Sequence, residues 1–256
     1  MTPCWRGNLK QRLNGHERFS PASERERDCL PTGRADLSRT LEPMTQLAWL
    51  LLALAAGLAV TDWIAVTHGN PRLRRIAKPG AILLLIAVAF ALHPASAAQR
   101  DVFAGALFLS LIGDVYLLFE GERWFLAGLA AFLAAHLAYI DGFLLGGLNR
   151  GLLVYSAVAV VVVSLLLGGF VLRRLLGSAD RRLAPAVALY LLAISAMVIL
   201  AGATGRPAAM AGAGLFYLSD SLIAWNRFVR PLRWAPLAVI VTYHLGQAGL
   251  VLSLLG

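Results

Sequence analysis

The chain has 256 residues, of which 59% are hydrophobic and only 14% are charged, and its mean hydropathy is +0.70. Soluble domains carry about 25% charged residues, so the deficit excludes an ordinary water-soluble enzyme, a disordered chain and a nucleic-acid-binding domain. The formal charge of +9, from 23 Lys and Arg against 14 Asp and Glu, is then first an orientation signal in a membrane protein.

Residues 1–43 are a polar leader. They hold 8 of the basic residues, 6 of the acidic ones and both cysteines, Cys4 and Cys29, and they lack the apolar run of a signal peptide or spanning helix. At Met44 the composition changes abruptly. A disordered tail fits this pattern, and so does a start site set too early, with Met44 as the initiator. In both cases the working domain is 44–256, with 15 basic and 8 acidic residues. That body has no cysteine, which removes disulfides, thiolate nucleophiles and Cys-bound metals from it. Its Ala, Leu, Gly and Arg bias points to a GC-rich bacterial genome, and Lys78 is its one lysine.

A membrane-spanning helix needs about 20 predominantly apolar residues. Eight segments qualify in chain order: 45–66, 76–92, 102–119, 124–145, 152–172, 183–201, 208–229 and 235–255. Short connections with turn residues separate them, such as Gly69-Asn70-Pro71, Asn149-Arg150-Gly151 and Gly205-Arg206-Pro207. The expected fold is an all-α, multi-pass bundle of about eight transmembrane helices, with no room for a soluble domain between spans. The first, third, fifth and seventh loops, with adjoining helix ends, carry twelve of the fifteen basic residues, against Arg100, Arg150 and Arg206 on the other face. The basic face is expected in the cytoplasm, which places both ends of 44–256 outside.

Ionisable groups inside a spanning helix cost a few kcal/mol, so each needs a reason. The candidates are Asp62, Asp114, His136, Asp141, Asp220, Tyr243 and His244, with Lys78 and Arg227 near helix ends. Asp62 and Asp141 lie close enough to helix ends to serve as interfacial residues. Asp114 and Asp220 do not: apolar residues surround Asp114, and Asp220 sits just past the middle of its helix. Counted from the basic face, they lie about 8 and 14 Å deep, at a rise of about 1.5 Å per residue. His136 and Tyr243 fall at comparable levels. Within helices, Tyr217, Asp220, Ala224 and Arg227 share one stripe, His136 pairs with Tyr139, and Tyr243 pairs with Gln247. The pattern predicts a water-accessible cavity on the cytoplasmic side, lined by two carboxyl groups. One would act as an acid while its neighbour stays ionised near Lys78 or Arg227.

Other signals are weaker. His136 and Asp141 match a His-x4-Asp acyltransferase spacing, but five helical residues put them about 140° apart. The histidines have no metal-ligand spacing. No Gly-x-Ser-x-Gly elbow, phosphate-binding glycine loop or dinucleotide fingerprint is present, and a serine hydrolase would have to use Ser219 or Ser110 with a distant histidine.

Several stretches resemble the YhhN-like family of multi-pass membrane proteins, whose characterised members are lysoplasmalogenases. They are Ala77-Lys78-Pro79, Gly113-Asp114, the run from Gly212 to Phe228 with Ser219-Asp220 and Asn226-Arg227-Phe228, and Val241-Thr242-Tyr243-His244-Leu245-Gly246-Gln247. Where family members often carry a second tyrosine, this chain has His244. The resemblance covers 44–256 and leaves the leader without a counterpart. It implies hydrolysis of the vinyl-ether bond of a lysoplasmalogen to a fatty aldehyde and a glycerophospho-base. Carbon protonation needs a general acid, an anion to stabilise the oxocarbenium ion and a placed water, with no cofactor, metal or nucleophilic serine. The resemblance assigns Asp114 and Asp220 as the acid/base pair. Lys78, His136, Tyr217, Ser219, Asn226, Arg227, Tyr243 and Gln247 would tune the pair, position water or hold the phosphate. The implied partners are a lysophospholipid and the bilayer of a bacterial inner membrane, not nucleic acid. Two alternatives stay open: a small proton- or cation-coupled transporter, for which polar groups should cross both leaflets, and a non-catalytic lipid-binding protein.

Overall fold

The computed structural model describes residues 44–255; the expectations for the leader fall on residues outside this range. Among the described residues there are eight long helices: α1 (Gln46–Thr67), α2 (Pro71–Ala91), α3 (Ala97–Tyr116), α4 (Glu122–Leu145), α5 (Arg150–Leu176), α6 (Ala184–Ala203), α7 (Pro207–Phe228) and α8 (Ala235–Leu252). Among the described residues there is no strand, only an isolated bridge between Met44 and Leu92. The protein is a multi-pass helical membrane bundle, as the apolar runs predict.

Side chains set the helix starts. Thr45, Asn70, Ser96 and Asn149 each accept a hydrogen bond from a backbone N–H three residues on, which satisfies a donor that the first turn leaves unpaired. Asn70 with Pro71 at the first helical position starts α2 five residues earlier than hydropathy alone does, because Arg72, Arg74 and Arg75 mask the helix there. Ser96 does the same for α3. Gly121 opens the turn into α4 with φ 110°, a conformation that side chains rarely adopt.

Five helices, α1, α4, α5, α6 and α8, are long and apolar enough to cross a membrane by themselves. The other three have comparable length but carry Lys78, Asp114 and Asp220. Their polarity is turned inward: Lys78, Asp114 and Ser219 are buried, and Asp220 is nearly so. Such a helix is at home in a membrane when its polar groups face the bundle interior.

Neighbours in sequence pack as hairpins, α1 with α2, α3 with α4 and α7 with α8. α8 also meets α1 and α2, while α6 sits between α4, α5 and α7. The α7–α8 contact is close because glycines face each other. A Cβ placed on Gly212 would lie 2.6 Å from the Leu250 nitrogen, and one on Gly246 would lie 2.9 Å from the Phe216 nitrogen. α5 is peripheral, and no residue of its stretch Arg150–Val163 is buried. Its α-helical path is interrupted by a π turn at Ser164–Gly168 before resuming at Gly169–Leu176.

Candidate active site

Two polar clusters converge from six helices. The first is built on Asp114, in the last turn of α3, whose carboxylate is fully buried. Lys78 of α2 places its Nζ 2.7 Å from Oδ1. Tyr243 of α8 donates its hydroxyl to Oδ2 at 2.7 Å, and the Lys78 ammonium stands 5.4 Å from the centre of the same ring. Tyr243 is held in turn. The Gln247 amide donates to its oxygen at 3.2 Å, and Tyr139 of α4 donates to the Gln247 carbonyl at 2.7 Å. A carboxylate that receives an ammonium and a phenol has the bonding pattern of an ionised group.

The second cluster is built on Asp220 of α7, with 13% of its side chain exposed. Tyr190 of α6 donates to Oδ2 at 2.5 Å. The Tyr190 oxygen also lies 3.0 Å from Nε2 of His136, on α4, and that nitrogen is 3.4 Å from Asp220 Oδ2. The phenol has one hydrogen and gives it to Asp220, so His136 must donate through Nε2–H. His136 Nδ1 is buried without a partner. Oδ1 of Asp220 has no hydrogen-bond partner among the described residues.

Asp220 borders three cavities. A small one, of about 30 Å³, is also lined by Arg74, Lys78, Asp114, Ser219 and Tyr243, so it brings the two carboxyl groups to one space with room for a water molecule. A second, of about 60 Å³, lies against Phe132, Tyr190 and Phe228. The largest, of about 420 Å³, opens between α5, α6 and α7 and is apolar apart from Asp220, Tyr190, Tyr217 and residues at its rim.

The remaining sequence candidates divide. Tyr217 lines the large cavity and shares a hydrogen bond with Ser164 of α5 at 3.0 Å, and Ser164 pairs with Ser195 of α6 at 2.9 Å. Ser219 lines the small cavity and ties α7 to α8 by donating to the Val239 carbonyl at 3.1 Å. Asn226 and Arg227 stand apart from both carboxyl groups. Asn226 accepts from the Leu232 nitrogen at 2.7 Å and so braces the α7–α8 loop. Arg227 is exposed, its guanidinium 3.8 Å from the centre of the Phe125 ring. His136 is buried and Asp141 exposed, in keeping with their different helix faces.

Three residues near the site carry little or no signal in the sequence. Tyr190 had no signal, being a lone tyrosine in an apolar run. Asp62, placed near a helix end, is fully buried, with neither oxygen hydrogen-bonded and Arg74 Nε 4.0 Å away. Arg74, counted only as a loop charge, lines the small cavity. Beside Asp62, Trp63 donates to Nδ1 of His244 at 3.1 Å, which fixes the His244 proton on Nε2. Among the described residues no group of three or more His, Cys, Asp or Glu could hold a metal ion.

The model of the YhhN family matches residues 73–254. The chain is 39% identical over 149 residues to a Sus scrofa protein named lysoplasmalogenase TMEM86B, covering 58% of this chain and 61% of that one. It is 33% identical to the Homo sapiens protein of the same name, covering 68% of this chain and 72% of the relative. To the Mus musculus protein it is also 33% identical, covering 81% and 86%. No solved structure matches.

Proposed function

The chain belongs to the YhhN family, and from that membership we propose that it is a membrane lysoplasmalogenase, cleaving the vinyl-ether bond of a lysoplasmalogen by acid/base chemistry at Asp220 and Asp114. The relatives' names support the substrate class. The observation that carries the mechanism is the unequal setting of two carboxyl groups around one small cavity. Asp114 has both oxygens engaged, by Lys78 and Tyr243, and Asp220 has one oxygen tied to Tyr190 and the other free.

In this reading Asp220 is the acid. Its proton goes to the outer alkene carbon, whose π electrons form the new C–H bond and leave an oxocarbenium ion at the carbon bearing oxygen. The Asp114 carboxylate opposes that positive charge inside a water-excluding bundle, where a fixed anion acts far more strongly than in water. Water adds to the cation, and its proton returns to the Asp220 carboxylate. The resulting hemiacetal collapses to a fatty aldehyde and a glycerophospho-base, so one water is consumed and the acid is regenerated.

Lys78 keeps Asp114 charged, and its ammonium is spent on that pair. Arg74, at the small cavity, and Arg230, at the rim of the large one, are therefore better placed for a phosphate than Lys78 or Arg227. The working domain is 44–256, in a bacterial inner membrane. The twelve basic residues on one set of loops support an active-site cavity opening toward the cytoplasmic leaflet. The test is aldehyde release from lysoplasmenyl-ethanolamine by the purified full chain in detergent. Wild-type protein should release it, and Asp220→Asn and Asp114→Asn should not. A folded wild-type sample that releases none overturns the reading.

A further inference from the structure

We propose that the large cavity between α5, α6 and α7 is a two-ended subsite for a single-chain phospholipid. Its phosphoglycerol end would be held by Arg230 and the indole N–H of Trp225, and its hydrocarbon end would lie against the π turn of α5. The proposal rests on the lysolipid reading and states on which side of Asp220 each half of the substrate lies.

The chain end follows from α5. Leu167, Gly168 and Val171 form one wall, and Leu191 and Ile194 of α6 form the facing one. Leu167 and Gly168 belong to the π turn. Such a turn fits an extra residue into the helix and recurs at functional sites. Here Ser164, at the start of the turn, is bonded to Ser195 of α6 and Tyr217 of α7, which fastens the irregular segment to its neighbours. Gly168 is buried, and a side chain there would run into the side chain of Leu191. The wall therefore leaves apolar space of about 420 Å³, within the range of small-molecule sites.

The head-group end follows from an orphan donor. Trp225 lines the cavity, and its Nε1 is buried with no hydrogen-bond partner. Stacking on Phe170, with ring centres 5.3 Å apart and planes at 18°, fixes the indole. A buried N–H without a partner is costly and uncommon, and a glycerol or phosphate oxygen would satisfy it. Arg230 is set at the same rim by its backbone N–H, which donates to the Trp225 carbonyl at 3.1 Å. The loop continues to Leu232, pinned by Asn226, and to Trp234, and both line the cavity. Asp220 stands five residues before Trp225, about 7.5 Å along the helix axis. The order phosphate, glycerol, vinyl ether, alkyl chain thus runs in the same direction as Arg230, Trp225, Asp220 and the π turn.

The test uses saturated 1-O-alkyl lysophosphatidylethanolamines, which acid does not cleave, titrated into the full chain in detergent. Wild-type protein should bind the hexadecyl compound. Arg230→Gln should weaken it by about tenfold, the scale of a charge-assisted hydrogen bond, without affecting the phosphate-free hexadecyl glycerol ether. Trp225→Phe should weaken both. Gly168→Leu, or Ile194→Trp should the glycine variant fail to fold, should weaken hexadecyl binding more than decyl binding. The proposal is overturned by wild-type protein that binds none of these lipids. It is also overturned if the Arg230 and Trp225 variants bind within twofold of wild type, or if the cavity-filling variants affect both chain lengths equally. Binding as predicted by a protein that releases no aldehyde would sink the reaction and keep the subsite. Aldehyde release with alkyl-lipid binding indifferent to these residues would do the reverse.

Discussion

Tyr190 donates its hydroxyl to Oδ2 of Asp220 at 2.5 Å, from α6 to α7, and receives Nε2–H of His136 on its own oxygen. The bond ties up Oδ2 and leaves Oδ1 open. In the proposed reaction Oδ1 is then the oxygen that carries the proton to the substrate, the bond strengthens as the carboxylate forms, and Tyr190 acts as a positioning residue. Tyr190→Phe should lower kcat by about ten- to a hundredfold, the range for a hydrogen bond to a charged group, with KM within about twofold. His136→Gln should cost less, because it acts through Tyr190. A KM effect without a kcat effect would assign Tyr190 to binding instead.

The Lys78–Asp114 pair makes a separate prediction about stability. Removing one member of a buried ion pair strands the other and costs about 3–5 kcal/mol, whereas an apolar pair of similar volume is often neutral. Lys78→Met should therefore destabilise the protein strongly in detergent unfolding curves. Lys78→Met with Asp114→Leu should recover most of the loss while remaining inactive. If the double variant is less stable than the single, the pair is stabilising in its own right.

The glycine seam between α7 and α8 predicts where volume is not tolerated. Backbone atoms, not flexible side chains, surround the Cβ position of Gly212, so Gly212→Val should prevent recovery of monodisperse protein. Gly57, with nothing within 4 Å of its Cβ position, should accept alanine with unchanged or slightly raised stability, since alanine is the better helix former. Size-exclusion profiles and melting temperatures of the two variants check this.

Orientation can be read by labelling, because 44–256 has no cysteine. With Cys4 and Cys29 changed to serine, single cysteines at Arg123 and Arg182 should be shielded from an impermeant thiol reagent in intact cells, and cysteines at Arg150 and Asn149 should react. The opposite pattern would turn the cavity toward the outer leaflet.

Much of the architecture is legible in the apolar runs, because a bilayer forces the backbone to satisfy itself within helices. The helix starts that differ most lie where charged residues enter a helix, as at Arg72 to Lys78 in α2 and at Arg100 and Asp101 in α3, and periodicity gives no sign of the π turn at Ser164–Gly168 inside α5. Lys78, Asp114, Asp220, Tyr243 and Gln247 stood out because polar groups in apolar runs demand partners. Tyr190 did not, since an isolated tyrosine in a spanning helix reads equally well as a packing residue. Arg227 shares a stripe with Asp220 on α7, but periodicity within one helix carries no information about Phe125 on α4, whose ring takes up the guanidinium. Asp62 looked interfacial by its distance from a helix end, and only the packing of α1 against α2 and α8 buries it.

In the proposed reaction Asp220 protonates the outer alkene carbon and water supplies the new oxygen. Hydrolysis of lysoplasmenyl-ethanolamine in heavy water, with the aldehyde trapped by rapid reduction and weighed by mass spectrometry, tests it most directly. The product should carry one deuterium on the carbon next to the former carbonyl and should take up oxygen-18 when the water carries that label, and both products should be lost with Asp220→Asn. Aldehyde without carbon-bound deuterium, or undiminished labelled product from Asp220→Asn, would contradict it.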